Sequence, residues 1–340
     1  MNCPTVSASD FRKKVVSSLR QNWLVVAAIL SLGLFQPSSL MAQGTAEQKL
    51  TEAYTLEREG KPAPAIALLQ SLLDSGSFDS AHTAKAWDVL GLALKDQGDY
   101  TGSRRAFEQS LEAYEALPAA TSDRATALDD FAELHVLIGQ LDLAERMMKN
   151  ALQLYESAGD HAGVVRGSNY LTGVFFSQKK VREGRRVLML AEKESRLATE
   201  LDDDDRATLV SLQGWSATFD GDWETSVSMY RQSLDLLRKH HGEEHPSTGW
   251  AYVLLAKAHA ECGSLHSSLS EMRKGIAILG RTLSKQDSRF LTAEIAYSHA
   301  LEIAGERVEA QRLRAEAEEG MDSLQKLQCF DCTVSAKALR

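Results

Sequence analysis

Residues Trp87 to Ser110 read WDVLGLALKDQGDYTGSRRAFEQS, and their spacing decides the fold. Trp87, Leu90 and Leu94 recur three and four residues apart, so they share one face of a first helix. Gly91 has no Cβ and lets a second helix approach closely at that level. Gly98 falls where the first helix should end and supplies a left-handed cap, with Asp99 and Tyr100 opening the turn. Ser103, Phe107 and Ser110 then recur at helical spacing, which sets a bulky ring between two small residues. The stretch is a helical hairpin. A single hairpin of this kind cannot bury both apolar faces, so neighbours must stack on it.

With Gly98 as the mark, equivalent turns fall at Gly60, Gly139, Lys179, Gly221, Gly263 and Gly305, at intervals of 38, 41, 40, 42, 42 and 42 residues. Small residues precede each mark at the place of Gly91: Ala53, Ala132, Thr172, Gly214 and Ala256. Small and large residues alternate after it, as in Ala65 and Leu69, Ala144 and Met148, Gly184 and Leu188, Ser226 and Tyr230, Ser268 and Met272. The unit around Gly305 carries Arg307 and Arg314 at usually apolar places, as a polar capping unit does.

Trp87-x2-Leu90-Gly91-x2-Leu94, followed by Ser103 and Phe107, resembles the tetratricopeptide repeat, a helix-turn-helix unit with the signature W-x2-L-G-x2-Y and A-x3-F. The forty-two-residue period and the linker Gly242-Glu243-Glu244-His245-Pro246 are similar to the kinesin light chain subtype. The resemblance covers residues 46–320. It implies an all-α, right-handed superhelical solenoid of about seven units, with residues 321–340 as a tail. It implies no motor binding.

The 340 residues are 44% hydrophobic and 25% charged with only six prolines, an ordinary composition for a helical protein. A formal charge of −9 without a clustered basic surface argues against nucleic acid as a partner, and against docking on anionic lipid. Arg12, Lys13, Lys14 and Arg20 precede an apolar run, Trp23 to Phe35, and then Pro37 and small residues ending near Ala42. That is the order of a secretory signal, and the run is shorter than the roughly 20 residues of a membrane-spanning helix. Residues 1–42 are therefore expected to be a cleaved signal, with export to the periplasm or exterior of a bacterium. Leu40 fits poorly three places before the cut; cleavage after Gly44 would put Ala42 there, and an uncleaved anchor is the alternative. Without residues 1–42 the chain is more acidic, near −12.

Few residues suggest chemistry. His240, His241 and His245, with Glu243 or Glu244, could hold zinc, but the segment ends a helix and reads as a linker into Pro246. Cys329 and Cys332 form a CxxC pair in the tail without a βαβ context, and an oxidising compartment would make them a small disulfide. Cys262 is expected to be a buried free thiol, with an intermolecular bridge as the alternative. Asp202 to Asp205 lacks the ligand alternation of a calcium loop and reads as the capped start of a helix. No catalytic, metal or cofactor site is assigned.

In such a superhelix the first helices line the concave face. Our register points Tyr54, Lys85, Asp88, Lys95, Arg166, Asn169, Phe176, Trp215, Phe219, Trp250, Lys257 and His299 into it. Aromatic rings beside polar clamps compose a binding hot spot; packing between units is the competing role for the rings. In the best-matched unit Asp88 and Leu92 hold the places of the Lys and Asn of the co-chaperone carboxylate clamp, which argues against that ligand. The expected function is an exported, non-catalytic scaffold that binds a peptide or partner helix in its groove. The alternatives are a metal- or thiol-dependent enzyme using His240, His241 and His245 or Cys329 and Cys332, and a structural subunit of an envelope assembly.

Overall fold

The computed structural model describes residues 37–76, 78–117 and 121–328. The chain divides into Met1–Ala46, described only from residue 37, where it is helical, and Glu47–Arg340, which holds the solenoid. The described residues form fourteen helices and no strand. They pair as α1 (Pro37–Arg58) with α2 (Pro62–Asp74), α3 (Ser80–Gln97) with α4 (Tyr100–Glu115), α5 (Thr121–Leu137) with α6 (Leu141–Ala158), and α7 (His161–Ser177) with α8 (Val181–Glu194). The series continues as α9 (Asp203–Thr218) with α10 (Trp223–His241), α11 (Pro246–Glu261) with α12 (Leu265–Thr282), and α13 (Ser288–Ile303) with α14 (Arg307–Gln328). These are seven units of a right-handed solenoid.

Every register mark adopts a left-handed backbone, including Lys179 at φ 59°. At Gly98, φ 88°, the turn closes as the glycine N–H donates to the Lys95 carbonyl and the Asp99 N–H to that of Leu94. Lys179 does the same work at a Cβ cost of roughly 1 kcal/mol. It is the one non-glycine residue with positive φ among those described. Aspartates then start the following helices: Asp99 accepts from the Gly102 N–H and Asp222 from the Thr225 N–H.

Sixteen residues separate the small residue on each first helix from the large one on its partner, and the two sizes are matched. Gly91 faces Phe107 and Gly214 faces Tyr230, while Ala53, Ala132 and Ala256 stand in the places paired with Leu69, Met148 and Met272. A Cβ at Gly91 would lie 2.7 Å from the Phe107 ring. Glycine therefore occurs where the partner is aromatic, and alanine where it is aliphatic. In both glycine units a serine on the second helix donates to the glycine carbonyl, Ser103 to Gly91 at 2.7 Å and Ser226 to Gly214 at 3.0 Å.

The last unit is polar as expected: Val308 is exposed, and Arg314 reaches the Ser298 hydroxyl and the Glu302 carboxylate. Its second helix continues to Gln328, past the end expected at 320, because Leu324 is buried beside Leu291 and Ala317. Residues 1–36 of the expected signal, and Cys329 and Cys332 of the expected disulfide, lie outside the described residues. The bonds after Ala42 and Gly44 fall within α1. Cys262 is exposed, contrary to expectation, because it caps α11 in the surface turn before Gly263.

Contacts across one superhelical turn add a feature that local spacing does not contain. Arg58, at the end of α1, pairs with Asp202 at 3.3 Å and Asp204 at 2.7 Å at the start of α9. Arg289 on α13 reaches Asp96 on α3 at 3.3 Å, and Tyr100 packs against the cluster of Leu291 and Leu324. Units one and two thus touch units five to seven, and the groove is enclosed along this seam.

Candidate binding groove

The groove encloses about 1420 Å³. Of the residues expected in it, Tyr54, Lys85, Asp88, Lys95, Arg166, Trp215, Trp250, Lys257 and His299 line this cavity. Asn169, Phe176 and Phe219 do not. Asn169 is buried and donates from Nδ2 to the Asp205 backbone carbonyl, tying α7 to α9. Phe176 is buried, with the rings of Trp215 and Phe219 against it at 5.5 and 5.1 Å between centroids. These rings hold units together.

The repeat explains the split. Residues aligned with Lys85 line the cavity in unit after unit: Thr126, Arg166, Thr208, Trp250 and Thr292. So do those aligned with Leu92: Tyr54, Glu133, Trp215, Lys257 and His299. The place of Asp88 is divided, since its counterparts Asp129 and Asn169 are buried between helices. The next residue along faces the cavity instead, giving Val89, Asp130, Tyr170, Leu212, Leu254 and Ala296. The whole-number register does not include this row. The signal that could have found it is the 3.6-residue period, which drifts between whole-number offsets.

The wall is charged and largely self-paired. Lys95 donates to Glu133 at 2.6 Å, and Arg166 pairs with Asp205 at 3.3 Å. Burial pushes Asp205 up to about 6 even with Arg166 opposing it. Lys257, on an open stretch, is held below the ordinary lysine range by burial of its surroundings. Glu57, Asp88 and Asp130 also line the cavity, and none has an ion-pair or side-chain hydrogen-bond partner among the described residues.

The histidine segment forms part of the seam. Arg58 donates to the Nε2 of His240 at 3.1 Å while it holds Asp204, and His241 pairs with Asp204 at 2.5 Å. The His245 Nε2–H donates to the Arg58 carbonyl, and its Nδ1 accepts from the Ser247 N–H. Burial alone would raise Asp204, but the hydrogen bond from His241 and the charges of His241 and Arg58 hold it below the usual carboxylate range. Asp204, His240 and His241 bring possible ligand atoms within 4.8 Å of one another. The guanidinium of Arg58 already lies among them, so a metal ion would meet a fixed positive charge. Glu243 and Glu244, weighed as added ligands, turn away: Glu243 accepts from Tyr252 and Arg238, and Glu244 pairs with Arg281. Asp202 caps α9 as expected, and the acidic run also grips Arg58 and Arg166.

Helical pairs stacked around an internal groove define a repeat solenoid of the peptide- and protein-binding type of architecture. Profiles described as tetratricopeptide repeat match residues 82–157 and 214–247. With seven registered units behind those matches, the chain is a tetratricopeptide-repeat protein. Among solved structures, a Rap protein complexed with competence and sporulation factor is 13% identical, over 84% of this chain and 94% of that one, with a TM-score of 0.55. NprR in complex with its cognate peptide NprX is 12% identical, over 96% and 94%, with a TM-score of 0.61. Repeats of a putative kinesin light chain from Podosopora anserina are 14% identical over 73% and 99%, with a TM-score of 0.33. At these identities the likeness to the Rap and NprR structures bears on fold alone. A comparison with curated proteins gives no match.

Proposed function

We propose that this chain is a non-catalytic interaction scaffold that holds an extended peptide segment along the inner faces of its first helices, and that it works after export from the cytoplasm. The observation carrying the reading is the groove itself. Its volume exceeds the roughly 300–1,000 Å³ of small-molecule pockets, and it runs past Tyr54, Trp215 and Trp250 with charged groups between them. Aromatic anchors of this kind supply contact area at low entropy cost. NprR, in complex with its cognate peptide, shares the solenoid, which makes a peptide occupant compatible with the fold. Export rests on the order of charge, apolar run and small residues in 1–42. Among the described residues no helix is long and apolar enough to cross a membrane.

The test is selection of peptides from a random display library by the chain lacking residues 1–42. Trp250→Ala with Lys257→Ala should weaken capture about tenfold or more while helical content is unchanged. Capture that survives both substitutions would move the site out of the groove. Sequencing the N-terminus of the protein from its own cells should start at Gln43 or Thr45; a start at residue 1 or 2 would refute cleavage.

A further inference from the structure

On the groove side of α1, α3 and α5, three carboxyl groups from three units line the cavity close enough to act on one another's charge: Glu57, Asp88 and Asp130. Asp88 is 6% exposed and Asp130 8%, so both are withdrawn from water, and the Asp88 Oδ1 has no hydrogen-bond partner. The neighbouring cations are engaged elsewhere or stand in solvent. Lys95 is held by Glu133, Arg166 by Asp205, and Lys85 is exposed without an ion pair among the described residues. Tyr54 and Tyr114 line the same region. Folding thus buries like-charged acceptors with no partner, an arrangement that costs stability unless something else is bound there.

We infer that Glu57, Asp88 and Asp130 form a cation subsite of the groove, which takes the ammonium or guanidinium of a basic residue, or the N-terminal ammonium, of the bound peptide. The inference rests on the peptide-groove reading above and names the chemistry of one point on that ligand. Without ligand these carboxyls keep their protons to higher pH than ordinary carboxylates do. Burial, then repulsion from Asp96, pushes Glu57 up to about 8; burial pushes Asp130 up to about 6; and burial with the nearby Asp130 holds Asp88 well above the carboxylate range. A cation entering the subsite favours their ionised forms, so protons leave as it binds. The Tyr54 ring lines the wall beside these carboxyls, with the Arg58 guanidinium 5.8 Å from its centroid.

The first arm of the test titrates the full chain with agmatine, which carries a guanidinium and an ammonium, and with uncharged butylurea. Agmatine should bind saturably near pH 7 with a heat that changes with the ionisation enthalpy of the buffer, and butylurea should not. Asp88→Asn with Asp130→Asn should weaken agmatine about tenfold or more. Asparagine mimics the protonated acid, so folding should persist; Glu57→Gln, on another helix, is the second variant, and circular dichroism checks both. Absence of saturable agmatine binding overturns the subsite.

The second arm selects peptides with free or acetylated N-termini. Enrichment of Lys or Arg that disappears in the Asn variants supports a side-chain source, and dependence on a free N-terminus supports the terminal ammonium. Peptide capture with no preference for positive charge overturns the subsite and leaves the groove reading standing. Agmatine binding with no peptide retained overturns the groove reading and assigns the subsite to small polyamines.

Discussion

Gly91 and Phe107 show how one residue sets the spacing of a unit. The ring occupies the space a Cβ would need, and the Ser103 hydroxyl adds a second hydrogen bond to the helical Gly91 carbonyl. Gly91→Ala should therefore cost about 1–3 kcal/mol in denaturant unfolding. Combining it with Phe107→Leu should recover part of that loss relative to the two single changes added, because Ala53 and Leu69 already pair this way in the first unit. Additive losses would show that the two sites are not sterically coupled. This pairing was legible in the sequence, since both partners recur at a fixed offset. The burial of Phe176 was not, because an aromatic at a groove position looks the same whether it faces the cavity or the next unit.

At the scale of helices, the turn marks were readable because each demands a left-handed backbone, and counting reached even Lys179. The seam was unreadable. Arg58 and Asp202 are separated by 144 positions, and no periodicity relates an arginine ending the first helix to an acidic run starting the ninth. Arg58 joins α1 to α9, and through the His245 imidazole to the start of α11. Spin labels at Glu59 and Arg206 should give a narrow distance distribution in the native chain and a broader one in Arg58→Ala. An unchanged distribution would mean that stacking alone closes the turn. Acid should act in the same direction. A carboxyl held below its unfolded value, as Asp204 is, stabilises the folded state above that value, and the contribution is lost as pH falls through the lowered one. The seam should accordingly loosen below the ordinary value of 3.8, and Asp204→Asn should abolish that acid response.

For the whole molecule, seven units bury a continuous core on their facing sides, and their first helices are left to furnish a charged, aromatic interior. The division of labour follows from repetition: residues that recur fix the stack, and residues that vary at the places of Lys85, Val89 and Leu92 give the cavity its chemistry. The acids of units one to three were hidden in the sequence because a buried aspartate and a surface one share the same letter. On the proposed function, a bound peptide lies along this interior. Hydrogen–deuterium exchange on the full chain, with and without a saturating peptide recovered from the library selection, tests it most directly. Added protection should concentrate in α1, α3, α5 and α11, the first helices that carry Tyr54, Lys85, Asp130 and Trp250. Protection confined to the outer helices α4, α6 and α12, at the same occupancy, would contradict it.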